Sequence, residues 1–217
     1  MVKNLEDIRR LQPSVFEDLK EKFYQCGTNY NHFGLRMEAR IASSLSRKNV
    51  TFEYADAPDF FIVHEDQQIF IECTSVWPDT SSRDKDYRKN VALAIQKKAE
   101  KKYSNENTAV AMDVTSILAA MITHGTRDEA TDFYQYLGPV LDQSKLGAVI
   151  LFNTVYSAEV NMLHFVYNRF DCPKISPALR NFMDATYPVV GGKLCEPVIP
   201  GARTPGLNQS SYPTTGT

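Results

Sequence analysis

The sequence predicts an α/β domain in which helices flank a mixed β-sheet. Three observations carry that expectation. Apolar residues before Val50 recur at helical spacing, as Leu35, Ala39, Ala42 and Leu45 do. Two strand-like runs follow, Asp59-Phe60-Phe61-Ile62-Val63 and Ile69-Phe70-Ile71-Glu72-Cys73-Thr74, split by a short polar turn. After Ser75 helical and strand-like stretches alternate, and the apolar run from Gly147 to Asn153 suits a central strand covered on both faces. Hairpins first and helix-linked strands later imply antiparallel and parallel pairing within one sheet.

Leu5, Ile8 and Leu11 mark a short amphipathic helix at the start of the chain. Pro13 suits the start of a second, with an apolar face of Val15, Phe16, Leu19 and Phe23. Cys26-Gly27-Thr28-Asn29 ends it. A third helix is predicted from His32 to Arg47, and Glu38 lies beside its buried stripe of Leu35, Ala39, Ile41, Ala42 and Leu45. Strands are predicted from Val50 to Tyr54, Asp59 to Val63 and Gln68 to Ser75, with His64-Glu65-Asp66-Gln67 as the hairpin tip. A charged loop from Asp79 to Asp86 leads to a long helix from Tyr87 to Tyr103. Thr108 to Val114 alternates like a strand, and start signals at Asp113 to Ser116 precede a helix from Ile117 to Thr123. Next come a helix from Asp128 to Leu141, the central strand, a neighbouring strand from Val160 to Tyr167 and a last helix from Pro177 to Ala185. Residues 1–190 read as one domain, with 1–30 as an N-terminal helical extension. Residues 191–217, rich in Pro, Gly, Ser and Thr, read as an extended arm or a mobile tail.

Composition narrows the function classes. A chain of 217 residues that is 43% hydrophobic and 11% aromatic suits a single packed core. A net charge of -2 argues against a strongly basic nucleic-acid binder, so affinity for phosphate backbones must come from a local patch. No apolar run approaches the ~20 residues that span a bilayer, so no membrane partner is expected. Met1 to Arg10 is charged and lacks a signal-peptide core. Cys26, Cys73, Cys172 and Cys195 are scattered without a CxxC pair. They read as reduced thiols of a cytoplasmic protein, and no spacing supports a zinc site with the four histidines.

The acids carry the chemistry. Strand alternation puts Ile69, Ile71 and Cys73 on one face and Phe70, Glu72 and Thr74 on the other. The hairpin brings Asp59 close to the end of the third strand. A carboxylate inside an apolar run is costly unless paired or metal-bound. Asp59, Glu72 and the main-chain carbonyl of Cys73 are therefore candidate ligands for Mg²⁺ or Mn²⁺, because hard cations prefer oxygen donors and keep several waters. Such an ion would neutralise a scissile phosphate and lower the pKa of the attacking water. Glu38 could orient a water there or help hold a second ion.

The run Glu38-Ala39-Arg40-Ile41-Ala42, then Pro58-Asp59-Phe60, then Ile71-Glu72-Cys73-Thr74 resembles the PD-(D/E)XK nuclease superfamily, the restriction-endonuclease-like fold. The motif-level resemblance covers Asn31 to Val114. It implies a helix–three-strand–helix–strand core and a Mg²⁺-dependent nuclease, with DNA preferred to RNA as substrate. It also implies Asp59 and Glu72 as metal ligands and Glu38 as the accessory acid. The family's usual lysine, two residues after the second acid, is Thr74 here. A threonine hydroxyl can hydrogen-bond a water but supplies no positive charge. Either another residue substitutes, or the domain is a catalytically silent module that binds nucleic acid or protein.

Helix geometry nominates the substitute. At 100° per residue, Lys98 and Lys102 fall near the apolar side of the helix bearing Val91, Ile95 and Ala99, while Lys97 and Lys101 fall outward. Lys98 is the best surrogate; its other reading is a stem that covers the core while its ammonium reaches solvent. The segment around it gathers Arg83, Lys85, Arg88, Lys89 and Lys102, which could track a phosphate backbone or form an ordinary solvated face. Asp113 reads as a turn or helix-cap residue, and Trp77 as a packing residue or a base-stacking one. A homodimer is compatible with two-strand cleavage, which needs two sites.

Overall fold

The structure, a computed structural model, describes residues 2–26, 31–79, 86–124, 136–157 and 162–189. Helices α1 (Val2–Leu11), α2 (Pro13–Cys26) and α3 (Asn31–Arg47) come first. Strands β1 (Glu53–Tyr54), β2 (Phe60–His64) and β3 (Gln67–Ser75) follow, then α4 (Arg88–Ala99), β4 (Thr108–Asp113) and α5 (Thr115–Thr123). Residues 136–142 form the described part of α6. Strands β5 (Ala148–Ser157) and β6 (Met162–Asp171) and helix α7 (Pro177–Thr186) complete the order. The six strands form one sheet in sequence order, β1 to β6. Pairing is antiparallel at β1–β2, β2–β3 and β5–β6 and parallel at β3–β4 and β4–β5, so the expected mixed α/β sheet is present. Among the described residues no helix is long and apolar enough to cross a membrane.

Two apolar layers sandwich the sheet. On one face Phe60, Ile69, Ile71, Cys73, Ala109 and Ile150 pack against α1, α2, α3 and α7. On the other Val110, Met112, Val149 and Leu151 pack against α4, α5 and α6. The first two helices belong to this main core, since Ile8, Val15 and Leu19 are buried in it. Burial of both sheet faces explains the continuous apolar run from Ala148 to Phe152 in β5.

Several boundaries differ from the sequence reading, each for a local reason. β1 keeps only two of its five expected residues because Val50 closes α3. Its N–H donates to Leu45 O at 3.0 Å, and the Asn49 N–H donates to Ser46 O at 3.1 Å. With Asn49 at φ 56°, this is a Schellman ending with asparagine in the left-handed position. The hairpin tip shrinks to Glu65-Asp66, with φ of 51° and 59°, and His64 pairs with Gln67. A two-residue turn of this hand matches the sheet's twist. Helix α4 stops at Ala99, four residues before Tyr103, because the Ser104 hydroxyl donates to the Lys98 carbonyl at 2.6 Å. That early stop frees Tyr103 from the helix.

Among the described glycines, Gly147 is the one that main chain crowds. Its N–H donates to Thr108 O at 2.9 Å, and a Cβ added there would lie 2.1 Å from Glu106 O. Main chain cannot step aside as a side chain can. Gly147→Ala is expected to destabilise the fold by about 1–3 kcal/mol, read as a lower midpoint in urea melts with an unchanged slope.

Candidate active site

The hairpin register builds the site. Phe60 pairs with Ile71, so Asp59 stands beside Glu72 at the point where the β2 ladder ends. There the Asp59 side chain takes over from backbone: the Cys73 N–H donates to Asp59 Oδ2 at 2.6 Å. The N–H and C=O of one strand residue point to the same side, so the Cys73 carbonyl also faces this corner. Its thiol points into the first core layer, where burial and the nearby carboxylates push its pKa well above the ordinary value. Cys73 is no nucleophile; its carbonyl is the part available to the site.

Glu72 faces the other layer and meets α4. Its Oε1 is ion-paired with the Lys98 ammonium, and the Tyr103 hydroxyl donates to its Oε2 at 2.7 Å. Lys98 also lies 3.5 Å from the Cys73 carbonyl oxygen. Its side chain is 21% exposed, whereas Lys97 is exposed outright. The helical phase read from the sequence thus puts the expected amine at the acids. Glu38 arrives from α3 in the opposite layer and accepts a hydrogen bond from the Tyr54 hydroxyl at 2.5 Å. Thr74 is half-buried and has no side-chain hydrogen bond among the described residues.

The electrostatics reflect three carboxylates around one ammonium. Asp59, only 7% exposed, has its pKa pushed up to about 8, chiefly by burial and then by the charges of Glu38 and Glu72. The Cys73 N–H and Lys98 offset part of that rise. Burial also raises Glu38, against the Tyr54 hydrogen bond and the Lys22 charge. The two tyrosines rise for complementary reasons, burial plus the carboxylates that accept their hydroxyl protons, so both remain neutral donors.

Tyr54 and Tyr103 are site residues that the sequence reading does not single out. Tyr54 ends β1, the strand next to Asp59, which is a usable positional signal. The sequence reading places Tyr103 in the helix, yet the turn-forming Ser104-Asn105 pair signals that the helix has already stopped.

The basic segment is only partly assembled. Arg83 and Lys85 lie outside the described residues. The Arg88 guanidinium is held by Asp86 at 2.7 Å and lies 4.6 Å from the Tyr136 ring centroid. Lys89 and Lys102 are exposed, and Lys102 sits in the turn after α4 rather than on its apolar side. Asp113, the last residue of β4, accepts from the Thr115 N–H at the start of α5 at 3.0 Å, and Arg40 pairs with it at 3.1 Å. Among the described residues no three His, Cys, Asp or Glu side chains form a metal-binding group. Any ion here would rest on two carboxylates, a main-chain carbonyl and water. A cavity of about 510 Å³ between α2 and β1 is lined by Asp18, Glu21, Lys22, Tyr54 and Asp56, a largely acidic wall unsuited to a phosphate backbone.

No family model, curated protein or solved structure matches this chain.

Proposed function

We propose that the protein is a Mg²⁺- or Mn²⁺-dependent nuclease with a restriction-endonuclease-like core, hydrolysing phosphodiester bonds of DNA. The observation that carries the reading is the gathering of Glu38, Asp59 and Glu72 around Lys98 at one end of the hairpin. The order α3–β1–β2–β3–α4–β4 supports it, since it is the helix–three-strand–helix–strand order that the motif resemblance implies.

The residues fit such an ion. Asp59, Glu72 and the Cys73 carbonyl are all hard oxygen donors that turn toward one corner. The corner has more carboxylates than nearby cations, and Asp59 answers by holding a proton. A dication relieves the same strain more completely. Bound there, it would supply charge neutralisation at the phosphate and a more acidic attacking water. The protein's own groups do the rest. Lys98 provides the positive charge that Thr74 lacks, beside the acids where a phosphate oxygen gains charge. Tyr103 fixes the rotamer of Glu72, and Tyr54 fixes that of Glu38. The Thr74 hydroxyl, on the Glu72 face of β3, is a hydrogen-bonding group for a water.

One observation favours a second reading, a silent module that binds nucleic acid or protein. Both Glu72 oxygens already have protein partners, Lys98 and Tyr103, so the carboxylate is satisfied without an ion. Incubation with plasmid and linear DNA in Mg²⁺ or Mn²⁺ separates the two. The parent should cut, and Asp59→Ala and Glu72→Ala should each lose about a thousandfold in rate while keeping a cooperative melt. Equal cutting by both variants, or none by the parent, defeats the nuclease reading.

A further inference from the structure

A second cavity, of about 200 Å³, opens at the same end of the sheet. It sits where β3 and β4 finish, with Ser75 and Asp113 in its wall beside Thr154 of β5. Helix α3 contributes Arg36 and Arg40, and Trp77 and Phe33 close one side with ring centroids 4.3 Å apart. Ser116, in the first turn of α5, brings the positive end of that helix to the rim.

The charges in this cavity do not balance. Asp113 is committed to the protein: Oδ1 accepts from the Thr115 N–H and hydroxyl at 3.0 and 2.6 Å, and Oδ2 accepts from Arg40 at 3.1 Å. Arg40 is further fixed, with its guanidinium 4.1 Å from the Phe165 ring centroid. Arg36 has no acidic partner among the described residues, and its charge is close enough to Arg40 to disfavour that residue's protonated form. Two arginines, one engaged carboxylate, hydroxyls and a helix start leave a surplus of positive charge and hydrogen-bond donors. That is the chemistry that holds a tetrahedral anion. The volume is below the 300–1,000 Å³ or so of pockets for whole small ligands, and it suits a single phosphate group.

We infer that this cavity binds a phosphate of a nucleic-acid strand, with Arg36 as its principal contact. Ser75 lies three residues beyond Glu72 on β3, about 10 Å at 3.3 Å per residue, so the cavity neighbours the acidic corner. Its use as a subsite flanking a cut rests on the nuclease reading; its affinity for phosphate does not.

The test is calorimetric titration of the full chain in EDTA with three probes: inorganic phosphate, a DNA tetranucleotide with a 5′-hydroxyl, and the same tetranucleotide with a 5′-phosphate. The tetranucleotides should bind, and Arg36→Gln should weaken them at least tenfold. A stronger effect on the phosphorylated form marks a terminal phosphate, and equal effects mark an internal one. Ser116→Asp places a carboxylate at the rim, where a helix start tolerates it, and should abolish binding without lowering the melting temperature. Arg36 dependence confined to inorganic phosphate overturns the strand assignment, and no Arg36 dependence in any arm overturns the site. A protein that binds the tetranucleotide through Arg36 yet never cuts DNA refutes the nuclease reading alone. One that cuts without Arg36-dependent binding refutes this site alone.

Discussion

Asp59→Asn is expected to stabilise the cation-free protein above neutral pH and, on the nuclease reading proposed above, to abolish cleavage. The native state keeps Asp59 protonated up to about pH 8, whereas an aspartate free of the fold titrates near 3.8. Between those values the folded protein holds a proton that the unfolded chain has released. Its stability must therefore fall as pH rises from about 4 through about 8. The loss amounts to several kcal/mol, because every tenfold difference in proton affinity between the two states is worth about 1.4 kcal/mol. Asparagine keeps the oxygen that accepts the Cys73 N–H and cannot ionise. In EDTA the variant's melting temperature should fall less than the parent's over this range, with the raised Glu38 still contributing, and should exceed the parent's at pH 8, with near equality at pH 4. A parent whose stability is flat over that range would show that Asp59 ionises freely and that the corner is not crowded with charge. On the nuclease reading proposed above, the same substitution removes one of the two proposed carboxylate donors, so the activity loss and the stability gain have one cause.

Lys98→Met should have the opposite effect on stability. The change keeps the stem's bulk and removes the ammonium from a carboxylate that is buried in the fold. Breaking such a pair by deleting one partner costs about 3–5 kcal/mol, since the remaining charge is uncompensated. Tyr103 still donates to Glu72, which puts the expected cost at the lower end. Adding Glu72→Gln to Lys98→Met should restore most of the loss, because the stranded charge is then gone. Cleavage should fall about 10²–10³-fold in Lys98→Met. Lys98→Arg should recover stability better than activity, because a planar guanidinium cannot reproduce the point charge of an ammonium. If Lys98→Met melts like the parent, the ion pair is a surface contact and Lys98 cannot be the missing amine.

Much of this arrangement is legible in the sequence, and the limits have physical causes. Period-two alternation sets which face of β3 carries Glu72, and period-3.6 phase puts Lys98 toward it. Both signals are local and strong because each strand and helix has a buried side. The first helices read as an extension because their spacing shows amphipathicity but not the partner; in the structure Ile8, Val15 and Leu19 fill the main core. The loss of most of β1 and the early stop of α4 depend on a few hydrogen bonds at helix ends, which apolar periodicity does not report. Tyr54 and Tyr103 escape a sequence reading because tyrosines in such places usually pack, and only the fold brings their hydroxyls to the acids. The cavity at Arg36 and Arg40 joins α3 to the ends of β3 and β4 and to β5, a meeting that no local pattern encodes.

Asp59, Glu72 and the Cys73 carbonyl are the proposed ligands of a dication. Calorimetric titration of Mg²⁺ into the parent and into Asp59→Asn at pH 7, in two buffers of different ionisation enthalpy, tests this most directly. The parent should bind one ion and release close to one proton, because Asp59 is largely protonated before the ion arrives. Asp59→Asn should lose both the affinity and the proton release. Absent binding, or binding that survives in Asp59→Asn with the same proton count, contradicts the claim.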